Sequence, residues 1–153
     1  MKVIVDTNIV FSAILNSNGK IGDLLLNSQE IIDFYSAEYL RYEIRNHYDK
    51  LAKISKQPVD KIYNTEYYIT REIKFIAEEH ISKTNWETAY RLVKDIDLDD
   101  IAFVAMSKQL KCKLWTGDKT LTKGLKNQGF TNLITTDELL EYRTKKEKRK
   151  NGR

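Results

Sequence analysis

The sequence predicts an α/β fold, a central, mostly parallel five-stranded sheet with helices on both faces. Two observations predict it. Short apolar runs rich in β-branched residues alternate along the 153 residues with segments of helical periodicity. The first such run, Lys2-Val3-Ile4-Val5, is apolar on both faces, as a buried strand of a parallel sheet should be.

Each element follows from local chemistry. A strand that starts at Lys2 and is apolar on both faces is expected to be central. Asp6 then sits at its carboxyl end, where open α/β sheets bind ligands. Asp6 or Asn8 serves equally well as the cap of the next helix. Gly19 to Gln29 carries Ile21, Leu24, Leu25 and Leu26 at amphipathic spacing. Ile31 to Tyr35 reads as the second strand. Ser36 reads as the cap of a helix with Leu40, Ile44, Tyr48 and Leu51 along one stripe. Pro58 falls in the break that follows, near the first turn of a helix running to about Ile73. Lys74 to Ala77 is a third strand. Thr84-Asn85-Trp86-Glu87 has capping-box spacing and opens a further helix. After a turn at Asp95 to Asp99, Ile101 to Met106 is apolar all round, as a fully buried helix is. Lys113 to Gly117 is the fourth strand and ends in Asp118. A short helix runs to Gln128 and stops at Gly129. Leu133 to Thr135 is the fifth strand, and Thr135-Thr136-Asp137-Glu138 is a second capping box.

Composition bounds the function. Charged residues are 31% and hydrophobic residues 41%, an ordinary soluble balance for one domain. No apolar run is long enough to span a bilayer, so no membrane partner is expected. Asp6 and Asn8 interrupt the N-terminal apolar run, which argues against a secretory signal. The single Cys112 fits a reducing compartment, so a cytoplasmic location is expected. One cysteine and two histidines exclude a zinc site of soft ligands.

The charge is uneven. Arg143 to Arg153 holds seven basic residues and one acid, a net +6, so a chain of net +4 is −2 elsewhere. The expected organisation is a body over residues 1–142 and a basic tail over 143–153. Such an arm suggests a polyanion partner, although a solvated helix end accounts for the same charges. Arg143, Lys145, Lys146, Lys148 and Arg149, with Lys119 beside Asp118, are the candidate nucleic-acid contacts.

Carboxylates are expected at the same end of the sheet from four places. Asp6 follows the first strand, and Asp118 the fourth. Glu43 sits on the border of the Leu40–Ile44 stripe, aimed at a cleft. Asp99 and Asp100 open the buried helix. Asn8 and Thr116 add neutral oxygens. Taken singly, each acid reads as a helix cap or a surface ion-pair partner. Taken together they converge, and clustered carboxylates repel unless a cation neutralises them. Oxygen-only ligands suit Mg²⁺ or Mn²⁺.

The segments VIVDTNIVFSAIL, SAEYLRYEIR and DLDDIAFVAMSKQLKCKLWTGDKTL resemble the PIN-domain family, metal-dependent ribonucleases that include the toxins of many toxin–antitoxin pairs. The likeness runs from Met1 to about Thr135. It implies a three-layer α/β/α sandwich and a site of Asp6, Glu43, Asp100 and Asp118. Asp6, Asp100 and Asp118 would hold Mg²⁺ or Mn²⁺, and Asp97 and Asp99 compete with Asp100 for the third place. It further implies an RNA substrate cut to leave a 5′-phosphate, an antitoxin partner and a homodimer. Two other readings stand beside it. One is a catalytically silent PIN-like scaffold that binds RNA or protein. The other is an aspartyl-phosphate phosphotransferase or phosphatase with Lys119 near its nucleophile.

Overall fold

The computed structural model describes residues 1–152; Arg153, last of the seven basic residues above, lies outside the described residues. In chain order the elements are β1 (Lys2–Val5), α1 (Thr7–Leu15), α2 (Lys20–Asn27), β2 (Asp33–Ala37), α3 (Tyr39–Asn46), α4 (Tyr48–Ser55), α5 (Val59–Thr70) and β3 (Ile73–Ile76). There follow α6 (Lys83–Val93), α7 (Ile101–Leu110), β4 (Lys113–Trp115), α8 (Lys119–Asn127), β5 (Leu133–Ile134) and α9 (Thr136–Asn151). A 3₁₀ turn at Leu98–Asp100 leads into α7.

The five strands form one sheet in the order β3-β2-β1-β4-β5, and every pairing is parallel. The expected central strand is central: Val3 lies opposite Phe34 on one side and Lys113 on the other. Val3, Ile4 and Val5 are fully buried. Helix α7 packs on β1, β2 and β4, with α6 outside it, while α1 gathers α2, α4 and α5 into the other layer. This is the three-layer α/β/α sandwich. Residues 102–107 of α7 are all buried, as its uniform apolarity requires. Among the described residues, no helix is long and apolar enough to cross a membrane.

Several local readings are corrected. Ile31 and Ile32 are not in β2, because their amides bond to the Ser28 carbonyl at 2.9 and 2.8 Å and close a turn after α2. Ser36 caps no helix. It is a fully buried strand residue whose Oγ donates to the Val5 carbonyl at 2.7 Å, which removes an otherwise unsatisfied hydroxyl. The single helix expected after it breaks at His47, whose amide bonds back three residues to the Ile44 carbonyl. The capping box at Thr84 is absent. Ser82 is the cap instead, accepting from the Asn85 amide at 3.2 Å, and Thr84 lies inside α6. The Thr135–Glu138 box forms as read, and Gly129 stops α8 with φ +84°.

Helix α9 extends from Thr136 to Asn151, and on it Arg143 folds back on α2, donating to Asp23 Oδ2 at 2.6 Å and Ser28 Oγ at 3.1 Å.

Gly22 fixes the start of α2. A Cβ there would lie 2.2 Å from the Ser17 carbonyl oxygen, a backbone atom that cannot swing aside. Gly22→Ala is expected to destabilise the chain by about 1–3 kcal/mol despite alanine's better helix propensity. Thermal melts of the two proteins check this; an equal or higher midpoint would contradict it.

Candidate active site

Strand order reverses between β1 and β4: the chain winds outward through β2 and β3 on one side and β5 on the other. Open parallel sheets leave a crevice at such a switch point, outside the carboxyl ends of the strands. Here those ends are Val5 and Trp115, opposite one another, and the Asp6 amide bonds the Trp115 carbonyl across the gap. A cleft of about 230 Å³ opens there, lined by Thr7, Asn8, Phe11, Glu43, His47, Lys50, Asp97, Asp99, Asp100 and Asp118. Asp6, 1% exposed, is not on the cleft wall; it lies buried behind Thr7, close enough to feel the charges of Asp118 and Glu43.

Asp6 and Asp118 are both helix caps, and Asp118 also lines the cleft. Asp6 Oδ1 accepts from the Ile9 amide at 3.0 Å and Asp118 Oδ1 from the Leu121 amide at 3.0 Å. Capping uses one carboxylate oxygen and leaves the other free. For Asp6 that second oxygen, Oδ2, is buried and without a hydrogen-bond partner. Thr116 lies close enough to ease the charge, but the hydrogen bond its Oγ1 makes is from the Asp118 amide at 3.1 Å. Burial, followed by the charges of Asp118 and Glu43, raises the Asp6 carboxyl to about 6.

The 3₁₀ turn before α7 holds its three acids, all on the cleft wall, in different settings. Asp97 caps the turn, its carboxylate accepting from the Asp99 amide at 2.9 Å. Asp99 is exposed and meets Tyr39 Oη at 3.5 Å. Asp100 is the half-buried one. Burial, then Asp6, Asp97, Asp118 and Glu43 in turn, push it up to about 7. Asp6 and Asp100 thus titrate as a coupled pair, both held above the usual carboxylate range.

Glu43 reaches the cleft from α3, between buried Leu40 and Ile44 on one flank and solvent on the other. Thr7 Oγ1 donates to its Oε1 at 2.5 Å, and burial still raises its carboxyl. Asn8 is exposed at the rim. Thr7, His47 and Lys50 were not singled out from the sequence. The hydroxyl of Thr7 was legible beside Asp6, but its partner lies 36 residues on. His47 Nδ1 donates to the Glu43 carbonyl at 2.7 Å, a bond made possible by the unforeseen break after α3.

The basic candidates lie elsewhere. Lys119 lines a neighbouring groove. Lys145 pairs with Glu141 at 3.0 Å, Lys150 with Glu30 at 2.6 Å, and Lys146 lies over the Tyr142 ring. Lys148 and Arg149 are exposed on α9.

The donor set fits a hard divalent cation in kind: all oxygens, one of them buried and orphaned. Yet among the described residues no three His, Cys, Asp or Glu side chains stand in ready coordinating geometry, so the acids ring the cleft without closing on a common point.

A family model for the PIN domain matches residues 4–145. The chain belongs to the PIN-domain family. Among solved structures it is similar to VapBC2 from Rickettsia felis bound to a DNA fragment from its promoter, with a TM-score of 0.65 and 14% identity over 88% of this chain and 97% of that one. It is also similar to PAE2754 from Pyrobaculum aerophilum, with a TM-score of 0.64 and 14% identity over 93% and 98% of the two chains. At such identities the likeness is one of fold. No curated protein matches this PIN-domain chain in sequence.

Proposed function

We propose that this PIN-domain chain is an endoribonuclease that uses Mg²⁺ or Mn²⁺, the toxin of a toxin–antitoxin pair. The observation that carries the reading is the buried, unpartnered Oδ2 of Asp6 with Glu43, Asp100 and Asp118 around it. An oxygen so placed costs free energy unless a proton or a cation meets it. Asp6, Asp100 and Asp118 would hold the ion. When bound, such an ion supplies neutralisation of phosphate charge and acidifies water at the site. Glu43, held by the Thr7 hydroxyl, would accept a proton from an attacking water. Asn8 adds a neutral oxygen at the rim, and Thr116 a buried one beside Asp118. Cys112, the one thiol of the chain, lies outside the cleft, and burial raises it to about 11.

The VapBC2 structure supports a partner antitoxin for this chain, and homodimerisation belongs to the same proposal. The aspartyl-phosphate reading needs a lysine beside its nucleophile. Lys119 lies on the neighbouring groove, and Lys50 is the lysine on the cleft wall.

The test is cleavage of a mixed RNA pool. Wild type should cut in millimolar Mg²⁺ or Mn²⁺, leave 5′-phosphate ends and stop in EDTA. Equal cutting in EDTA sinks the metal-nuclease reading.

A further inference from the structure

The acidic cleft is bordered by a larger groove of about 860 Å³. Lys20 enters it from the start of α2, and Lys119, Lys123 and Lys126 from α8. The last three are spaced i, i+4, i+7, one face of the helix, while Leu121 and Leu125 are buried on the other. All three are exposed. The one acid on the wall is Asp137, 3.6 Å from Lys20 in a pair open to water and therefore weak.

The two cavities share walls. Thr116, Gly117 and Lys119 face the groove, and Asp118 between them faces the cleft. On α1, Phe11 lines the cleft and its neighbour Ser12 the groove. Their charges are opposite. The cleft wall carries five carboxylates against Lys50, the groove wall four lysines against Asp137. A polyanion gains nothing from the bare acidic cleft and would be repelled by it. Whatever strand is presented there must be held from next door.

We infer that the lysine groove holds the phosphodiester backbone of single-stranded RNA on one side of the cleft, with Lys119, Lys123 and Lys126 as a ladder of phosphate contacts and Lys20 opposite them. The identity of the strand rests on the nuclease reading. The ladder runs down a single helix face, with neighbouring lysines a turn apart, so it follows one strand continuously away from Asp118. The basic end of α9 is a poorer anchor: Arg143 is held by Asp23 with most of its side chain out of water, and the other described cations there line neither the cleft nor the groove.

The experiment measures binding of a short, labelled single-stranded RNA to the full chain in EDTA, by anisotropy over a range of salt. Lys123→Gln with Lys126→Gln is compared with Lys61→Gln with Lys94→Gln. The second pair removes the same charge from exposed positions on neither cavity wall. Each lost phosphate contact flattens the salt slope by about 0.7 for a single strand, so the groove pair should flatten it by about 1.4. The control pair should stay near wild type. Glutamine is a good helix former, so both variants should keep the wild-type melting midpoint. Absence of wild-type binding, an unchanged slope in the groove pair, or equal flattening in the control overturns the inference. Because no cutting is needed, a chain that binds through the groove yet never cleaves overturns the nuclease reading alone.

Discussion

Asp6→Asn is expected to abolish RNA cleavage while leaving the fold intact. The asparagine Oδ1 can still accept from the Ile9 amide, and asparagine is as good a cap as aspartate, so α1 should begin where it does now. What is lost is the buried charge beside the cleft that the proposed cation would need. Losing a residue that stands behind a ligand commonly costs 10–100-fold, and Asp6 would be a ligand itself, so the loss should be at least about 100-fold. Asp100→Asn should do the same. Asp99→Asn should do much less, because Asp99 is exposed and turned toward Tyr39. Initial rates on a mixed RNA pool in Mn²⁺ separate the three. Wild-type cleavage by Asp6→Asn would remove the assignment. If Asp99→Asn alone were inactive, the third ligand would be Asp99 and the rest of the reading would stand.

In the absence of metal, stability should fall as pH rises from about 4 to about 7. Asp6 is raised from 3.8 to about 6 and Asp100 to about 7. A carboxyl whose folded value lies above its unfolded value binds more protons in the folded chain within that window. Its stabilisation is complete below pH 4 and is lost as pH passes its folded value. For Asp6, two units correspond to an effect on the order of 3 kcal/mol, or roughly 6–10 °C in Tm for a chain of this size. Asp100 acts in the same direction but is partly open to water, which weakens its share. Millimolar Mn²⁺ or Mg²⁺ at pH 7 should restore the loss, since a ligand of the folded state alone stabilises it. Asp6→Asn should show a shallower pH dependence and a smaller response to metal. A melting midpoint that is flat across this range and indifferent to metal would contradict the shared cation site.

Much of the architecture was legible because it rests on local chemistry. Val3 to Val5, apolar on both faces, could only be a strand covered on both sides, and β1 is the middle of the sheet. Residues 102–106 could only be a buried helix. Thr135 with Glu138, and Gly129, fix helix ends through contacts a few residues long. Ser36 misled for the opposite reason. Its cap chemistry is local, but the carbonyl that claims its hydroxyl belongs to Val5, 31 residues away.

The four acids were legible as types at strand and helix ends. By itself the sequence placed Asp6, Glu43, the acids before α7 and Asp118 toward one end of a parallel sheet, because strand ends and amphipathic stripes are set by the order of apolar and polar residues. Only the tertiary structure decided that Asp100 is the most buried of the three acids before α7, since the 3₁₀ turn there holds the three carboxylates differently. It alone decided that Asp6 keeps one oxygen buried without a partner. It also turned Arg143 from a free cation into a brace on Asp23 and gathered Lys20 with the α8 lysines around one groove. Each of these depends on which groups meet across more than a hundred residues of chain, or within a turn too short to have a period. Such meetings are fixed by packing, not by neighbours in sequence.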